Sequence, residues 1–213
     1  MGGGGVQVKG ARMLTIMILA AGASSRMRGR DKLAEKVDGV PLLARITERA
    51  LKTGLPVRVI VGPTTLARQN LLGDLPADVY FAPDAKAGMA YSIAAGVAAL
   101  PDNCAGVMLI LADMPELTTA DLGALATRWA TLPAPAILQA TTSDGTPGHP
   151  VIFPKAVFPA LMRLTGDSGA KPVLKAHPGM LYRHALAADH AAIDLDTPEA
   201  WAAWRKRRKA HKI

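Results

Sequence analysis

Short, almost wholly apolar runs alternate along this chain with longer segments whose apolar residues recur at helical spacing. The runs predict β-strands over residues 14–19, 57–61, 79–81, 107–111 and 136–140, and the longer segments predict helices over residues 42–53, 65–72, 91–100 and 120–132. Strands that alternate with helices connect through right-handed crossovers and build a mostly parallel sheet. We therefore predict an α/β, Rossmann-like fold with helices on both faces of the sheet.

The length of the chain suits one such domain. Its 213 residues are near the usual size of a single domain, and half of them are hydrophobic, which excludes a disordered chain. Residues 1–12, with four consecutive glycines, are expected to be a disordered leader. Residues 13–204 form the predicted domain, and residues 205–213 form a basic C-terminal tail.

The positive charge of the chain is concentrated in that tail. The formal net charge is +8, and residues 205–213 hold six lysines and arginines and no acid, so the rest of the chain carries only +2. Nucleic-acid binding needs basic side chains on a folded face, which only the tail could offer. We interpret the tail as a solvated helix end, with contact to nucleic acid or a membrane as the less favoured alternative.

Neither a membrane span nor a disulfide framework is predicted. The apolar run over residues 13–23 is too short to cross a bilayer, and its strand-like centre stops before Gly22, which disfavours a signal peptide. The single cysteine, Cys104, cannot form an intrachain disulfide or a cluster of thiolate metal ligands. A reducing, cytoplasmic location without a membrane partner is the expectation.

The first predicted strand leads into a turn of small residues that suits a phosphate group. Ligands of open α/β sheets bind beyond the carboxyl ends of strands, and the residues there are Leu19, Ala20, Ala21, Gly22, Ala23 and Ser24. Small side chains let a ligand approach backbone N–H groups, while Arg26 offers a planar fork and Lys32 a point charge. The alternative is a flexible basic surface loop. The glycine motifs of dinucleotide-binding folds and P-loops are both absent.

Carboxylates follow at two later points of the chain. Asp113 comes just after the run over residues 107–111, where it could hold Mg²⁺ together with phosphate oxygens, or could merely cap the next turn. Asp194 and Asp196 are two residues apart on an extended segment, so their side chains share a face. A helix is expected to open there, with Thr197 before it and Pro198 at its first position. One acid could complete a metal site, or both could be solvated acids at a helix start.

These motifs, taken in order, resemble a known family. After the first turn come Gly88-Met89-Ala90-Tyr91-Ser92, Asp113-Met114-Pro115, Gly148-His149-Pro150, Gly166-Asp167-Ser168-Gly169-Ala170 and Asp196-Thr197-Pro198-Glu199. The set is similar to that of molybdenum cofactor cytidylyltransferases, within the MobA-like nucleotidyltransferase group. The resemblance covers residues 14–204 and implies a single domain of the nucleotide-diphospho-sugar transferase-like fold. Many nucleotidyltransferases share the first turn, whereas the later motifs are more specific.

The resemblance also implies roles for individual residues. Arg26, Lys32 and Asp113 would be catalytic. Asp113 would bind Mg²⁺ with Asp196 as the preferred second ligand and Asp194 as the alternative. The nucleotide would contact Leu19, Ala20, Ala21, Gly22, Ala23, Ser24, Gly88 and Ser92. The pterin end of the acceptor would contact Gly148, His149 and Pro150. One departure is Arg28, which stands where the family usually has glycine after Arg-Met.

The implied activity is a Mg²⁺-dependent transfer of CMP from CTP to the phosphate of molybdopterin, with release of pyrophosphate. In such enzymes an alanine at the position of Ala21 tends to accompany CTP, and a glycine accompanies GTP. Two alternatives stay open: a related cytidylyl or sugar-phosphate nucleotidyltransferase, and a non-catalytic molybdenum cofactor chaperone for an apo-dehydrogenase. A molybdenum hydroxylase apoenzyme is a further implied partner.

Overall fold

The computed structural model describes residues 13–210, and its centre is a seven-stranded sheet. The strands of this sheet are β1 (Leu14–Leu19), β4 (Val57–Val61), β5 (Asp78–Phe81), β6 (Gly106–Leu111), β7 (Ile137–Thr141), β8 (Pro147–Pro154) and β9 (Leu181–Ala185). Their spatial order is β5-β4-β1-β6-β8-β7-β9. A separate two-stranded ribbon consists of β2 (Lys36–Val37) and β3 (Val40–Pro41).

Six α-helices accompany the strands within residues 13–210. They are α1 (Leu42–Leu51), α2 (Met89–Ala98), α3 (Thr119–Thr131), α4 (Phe158–Met162), α5 (Lys171–Ala176) and α6 (Pro198–Ala210). None of these helices is long and apolar enough to cross a lipid bilayer.

The central strands are parallel and buried on both faces, as their apolar composition predicts. Strand β1 pairs in parallel with β4 on one side and with β6 on the other. Ile16 and Ile18 of β1 pack in the hydrophobic cluster that includes residues of α1 and α3. Met17, which points to the other face, packs in the cluster that includes residues of α2. The predicted α/β fold with helices on both faces is therefore confirmed.

Strands β8 and β9 were not predicted, because each breaks the apolar pattern. Strand β8 carries prolines, which a central strand normally excludes because proline has no N–H for the ladder. Its pairing with β6 covers only residues 151–154, so Pro150 lies beyond that ladder. Strand β9 is a half-exposed edge strand of mixed polarity. Both β6 and β7 pair antiparallel with β8, which makes the sheet mixed on this side.

The prediction of an α-helix over residues 65–72 was wrong. The structure has a 3₁₀ helix there, over Leu66–Leu71, and Gly73 ends it in the left-handed region at φ +55°. So short a segment gains little from α-helical cooperativity. The buried side chain of Arg68 instead bonds to a neighbouring loop.

Helix α6 begins at Pro198 as the sequence predicts, and Ala200 N–H donates to the hydroxyl oxygen of Thr197 at 3.1 Å. The helix continues through residues 205–210, the first part of the segment predicted as a basic tail. There Arg205 pairs with Glu35 at 2.7 Å, and Arg208 pairs with Asp38 at 2.9 Å. The predicted leader, residues 1–12, lies outside the described residues.

The approach of β8 to the loop before α6 yields a stability prediction. A Cβ atom on Gly148 would lie 1.9 Å from the carbonyl oxygen of Ala191, which accepts a hydrogen bond from His149 N–H. Since backbone must move to relieve this contact, Gly148→Ala should lower the free energy of unfolding by about 1–3 kcal/mol. Chemical denaturation followed by circular dichroism measures the change.

Gly123→Ala is the matched control. Gly123 lies within α3, and an added Cβ would meet nothing within 4 Å. The same substitution should there raise the free energy of unfolding by about 0.5–1 kcal/mol, because alanine favours the helix. Equal effects at the two positions would contradict the predicted contact at Gly148.

Candidate functional site

A cleft of about 750 Å³ opens at the carboxyl ends of β1 and β6. Both strands point to this edge because they are parallel and adjacent. The turn after β1, the start of α2 and the loop before α6 provide its walls. The residues predicted for nucleotide, cation and metal binding that line it are Leu19, Ala20, Ala21, Gly22, Ala23, Ser24, Arg26, Lys32, Gly88, Ser92, Asp113, Asp194 and Asp196.

The turn after β1 presents unpaired backbone donors. No hydrogen bond from the N–H groups of residues 21–24 occurs within the part of the chain that the structure describes. Ser24 has a left-handed conformation at φ 53°, and the buried side chain of Met27 anchors the 3₁₀ turn that follows. Adjacent N–H groups without protein partners suit an anion such as phosphate.

The ammonium group of Lys32 lies between two carboxylates of the cleft. Its Nζ atom is 2.5 Å from Asp113 Oδ2 and 2.5 Å from Asp196 Oδ1. Arg26 Nη2 is 2.7 Å from the other oxygen of Asp196. The side chain of Lys32 is mostly buried, whereas that of Arg26 is largely exposed. Two predicted cations and two predicted acids therefore form one ion-pair network.

Burial and charge act in opposite directions on these groups. Burial favours the neutral form of Lys32, but Asp113 and Asp196 outweigh it and raise the pKa of the ammonium. Burial opposes ionisation of Asp196, yet Lys32 and Arg26 lower the pKa of this carboxyl. Asp194 forms no ion pair within residues 13–210. Its burial, with the negative charges of Asp113 and Asp196, raises its pKa, and the charge of Lys32 lowers that pKa only weakly.

The acids of the cleft can hold a divalent cation. Asp113, Asp194 and Asp196 each offer an oxygen, and these oxygens lie within 4.8 Å of one another. Asp113 Oδ1 is buried and has no hydrogen-bond partner among the described residues, so it has the free lone pairs that a metal ligand needs. Carboxylate oxygens are the ligands that Mg²⁺ and Mn²⁺ prefer. The donor set therefore fits such an ion, with Lys32 Nζ between two of the ligands.

The predicted acceptor residues lie apart from this network. Gly148, His149 and Pro150 belong to β8 and are absent from the lining of the cleft. Burial lowers the pKa of His149 and so favours the neutral imidazole, although the charge of Asp113 acts in the opposite direction. The peptide bond between His149 and Pro150 is cis.

The glycine motifs around residues 88 and 166 come together. Ala90 N–H donates to the carbonyl oxygen of Gly166 at 3.1 Å, and a Cβ on Gly88 would lie 2.4 Å from that oxygen. Gly88 also has φ +132°, which favours glycine. Asp167 consequently reaches the lining of the cleft.

The sequence did not identify Arg68, which the structure places against the turn after β1. Arg68 is 4% exposed and pairs with Asp31. A buried arginine inside a segment predicted as an amphipathic helix gives no local signal of its partner.

Arg28, the residue that departs from the family pattern, has a left-handed backbone conformation at φ 52°. Its side chain pairs with Glu199 at 2.6 Å on the exposed surface.

The chain matches a known protein family and a curated relative. A family described as "MobA-like NTP transferase domain" matches residues 16–181 of the chain. "Purine catabolism protein PucB" of Bacillus subtilis (strain 168) is 31% identical over 201 residues, which cover 87% of this chain and 92% of the relative.

Solved structures show the same fold at low sequence identity. Rv0371c from Mycobacterium tuberculosis H37Rv superposes with a TM-score of 0.79 and 24% identity, over 92% of this chain and 100% of that one. CMP:2-keto-3-deoxy-manno-octonic acid synthetase, solved with CTP, superposes with a TM-score of 0.73 and 13% identity, over 94% of this chain and 99% of that one. The predicted nucleotide-diphospho-sugar transferase-like fold is thereby confirmed.

The position of Lys32 between two ligand carboxylates predicts competition with a cation. In Lys32→Met no ammonium occupies the space, so nucleotide-free protein should bind Mn²⁺ about fivefold more tightly or better. At such distances repulsion between like charges amounts to at least about 1 kcal/mol. Titration followed by electron paramagnetic resonance measures free Mn²⁺ directly.

Lys86→Met is the control for that titration. Lys86 lines the same cleft but forms no ion pair within residues 13–210. Its loss should leave Mn²⁺ affinity nearly unchanged. If Lys32→Met bound Mn²⁺ no better than wild type, competition between the ammonium and the cation would be disproved.

Proposed function

The chain belongs to the MobA-like NTP transferase family, and from that premise we propose that it transfers CMP from CTP to the terminal phosphate of molybdopterin, with release of pyrophosphate. The observation that carries the proposal is the shared network of Arg26, Lys32, Asp113 and Asp196 at one edge of the sheet. Two cations and a set of carboxylate ligands in one cleft suit a triphosphate with its metal.

In this mechanism an oxygen of the acceptor phosphate forms a bond to the α-phosphorus of CTP. The bond from that phosphorus to the bridging oxygen of the β-phosphate breaks, and pyrophosphate leaves with the bonding electrons. The acceptor phosphate is already an anionic nucleophile, so the chain needs no strong general base. Its task is to hold the two substrates in line and to neutralise their negative charge.

Each group of the cleft has a role in that task. The N–H groups of residues 21–24 would donate to phosphate oxygens, and Arg26 and Lys32 would bind the triphosphate. Asp113 and Asp196 would hold Mg²⁺, with Asp194 as a further ligand. When bound, the metal supplies neutralisation of charge on the phosphates and the leaving pyrophosphate. When a triphosphate binds, the ammonium of Lys32 would move from its two carboxylates to a phosphate. Those carboxylates would then be free to bind the metal.

The choice of CTP rests on Ala21. This residue lines the cleft, and its Cβ lies 3.5 Å from the position that a Cβ on Gly62 would take. A methyl group on the lining of the cleft would leave less room for a purine, which favours the smaller pyrimidine. One methyl group in a pocket changes affinity by only about 1–3 kcal/mol, so this preference is quantitative rather than absolute.

The acceptor would lie toward β8. Gly148, His149 and Pro150 are residues of β8, and β8 pairs with β6, the strand that ends just before Asp113. A neutral imidazole can donate to or accept from the polar edge of a pterin.

A non-catalytic role is the second candidate. The relative in Bacillus subtilis is named for purine catabolism, and that name suits a protein that delivers molybdenum cofactor to an apo-dehydrogenase, such as a molybdenum hydroxylase. A chaperone of this kind would bind cofactor without consuming nucleotide. A related cytidylyl or sugar-phosphate transferase would consume nucleotide without the pterin.

Pyrophosphate release separates these candidates. The protein should release pyrophosphate from CTP faster than from ATP, GTP or UTP, and only when molybdenum-loaded pterin is present. Release with a sugar phosphate in place of the pterin would indicate the related transferase. Cofactor binding without release from any triphosphate would indicate the chaperone.

Substitutions in the network test the assigned roles. Asp113→Ala should lower kcat by roughly 10²-fold or more, the loss expected when a group that stabilises transition-state charge is removed. Lys32→Ala should act mainly on kcat if its phosphate contact strengthens in the transition state. Asp74→Ala, in an exposed turn outside the cleft, is the control. Near wild-type turnover by Asp113→Ala with Mg²⁺ would refute the metal assignment.

A further inference from the structure

The guanidinium of Arg68 is a buried charged group that the proposed mechanism does not use. Arg68 lies in the 3₁₀ helix Leu66–Leu71, between β4 and β5, and is 4% exposed. Its Nη1 atom donates to two carbonyl oxygens of the turn after β1, that of Ala20 at 2.5 Å and that of Gly22 at 2.8 Å.

The remaining N–H groups of Arg68 are also engaged. Nε donates to Asp31 Oδ2 at 2.7 Å, and Nη2 donates to Asp31 Oδ1 at 2.7 Å and to Ser24 Oγ at 2.9 Å. A guanidinium has five N–H groups, so each has an acceptor in this arrangement. No donor is left for a phosphate, and the bidentate Asp31 balances the positive charge.

Asp31 extends the network to the far end of the same loop. Its Oδ1 atom accepts from Leu33 N–H at 2.9 Å, and Ser24 Oγ accepts from Lys32 N–H at 3.3 Å. Burial opposes ionisation of Asp31, but the bonds from Arg68 and Leu33 outweigh it and lower the pKa of the carboxyl. The loop that carries Arg26 and Lys32 is therefore tied at both ends to one guanidinium.

The direction of the carbonyl groups connects this contact to anion binding. In a planar trans peptide the C=O and the following N–H point in opposite directions. Because the carbonyls of Ala20 and Gly22 face Arg68, the N–H groups of Ala21 and Ala23 face away from it. These are two of the donors that lack a partner in the described chain.

We propose that Arg68 and Asp31 are a positioning pair, which holds the turn after β1 in its phosphate-binding conformation and fixes Arg26 and Lys32 beside the cleft. The kinetic part of this inference rests on the proposed nucleotidyl transfer. Lysine cannot substitute for Arg68, because an ammonium has three donors and no planar fork.

A double-mutant cycle tests the pair. Arg68→Lys and Asp31→Asn should each lower kcat/KM for the nucleotide by about 10²-fold, the usual loss from displacing reacting groups by about 1 Å. Most of the loss should be in kcat. The kcat/KM of the double variant should lie within a few-fold of that of the less active single variant, because both substitutions break the same contact. Asp31→Asn leaves the Arg68 side chain itself unchanged, so it serves alone if Arg68→Lys does not fold.

Arg58→Lys is the matched control. Arg58 also donates to a carboxylate and a carbonyl, Asp78 Oδ2 and the oxygen of Ala99, both at 2.6 Å, but it lies outside the cleft. The substitution Arg58→Lys should lower the free energy of unfolding, but kcat and KM of the folded protein should not change.

Hydrogen exchange read by mass spectrometry tests the contact without any turnover. Amides of residues 20–33 should exchange faster in Arg68→Lys and Asp31→Asn than in wild type and in Arg58→Lys. This readout remains decisive even if wild type released no pyrophosphate from any triphosphate, an outcome that would reject the proposed function alone.

Three results would overturn the positioning role. Exchange over residues 20–33 that is unchanged in both variants would show that Arg68 does not hold the loop. Additive losses in the double variant would show independent roles. Tighter nucleotide binding by Asp31→Asn would show that the released guanidinium binds phosphate directly.

Discussion

The ammonium of Lys32 between Asp113 and Asp196 is the interaction on which the candidate site depends. It joins the loop after β1, the end of β6 and the segment before α6, which are far apart in sequence. Asp113 and Lys32 are mostly buried, and buried charges are costly unless they are paired. Lys32 therefore brings the three segments together and stabilises two carboxylates close to each other.

The turn after β1 is organised by a second set of charges on its other side. Arg68 and Asp31 neutralise each other and hold backbone carbonyls, while Arg26 and Lys32 interact with the acids of the cleft. A binding turn made of alanine and glycine has no side chains with which to fix its own conformation. Its shape consequently depends on an arginine supplied by a separate element, and its backbone donors remain accessible to a ligand.

Much of the fold followed from local pattern. The strand at residues 14–19 was predicted residue for residue because it is apolar and buried on both faces. The unpredicted β8 has glycine and prolines where a strand normally has hydrophobic residues, and its pairing reaches β6 only at residues 151–154. The 3₁₀ helix at Leu66–Leu71 was predicted as an α-helix, because the inward contacts of Arg68 leave no trace in the spacing of apolar residues.

The sequence by itself determined the strand–helix alternation, the turn of small residues with Arg26 and Lys32, and the acids that follow two later segments. These features depend on short-range order, namely the period of hydrophobic residues and the position of polar residues at strand ends. Only the tertiary structure decided that Lys32 lies between Asp113 and Asp196, and that Arg68 holds the turn through Asp31. Such contacts join residues separated by tens of positions or more, so they depend on how crossovers pack and not on any local spacing.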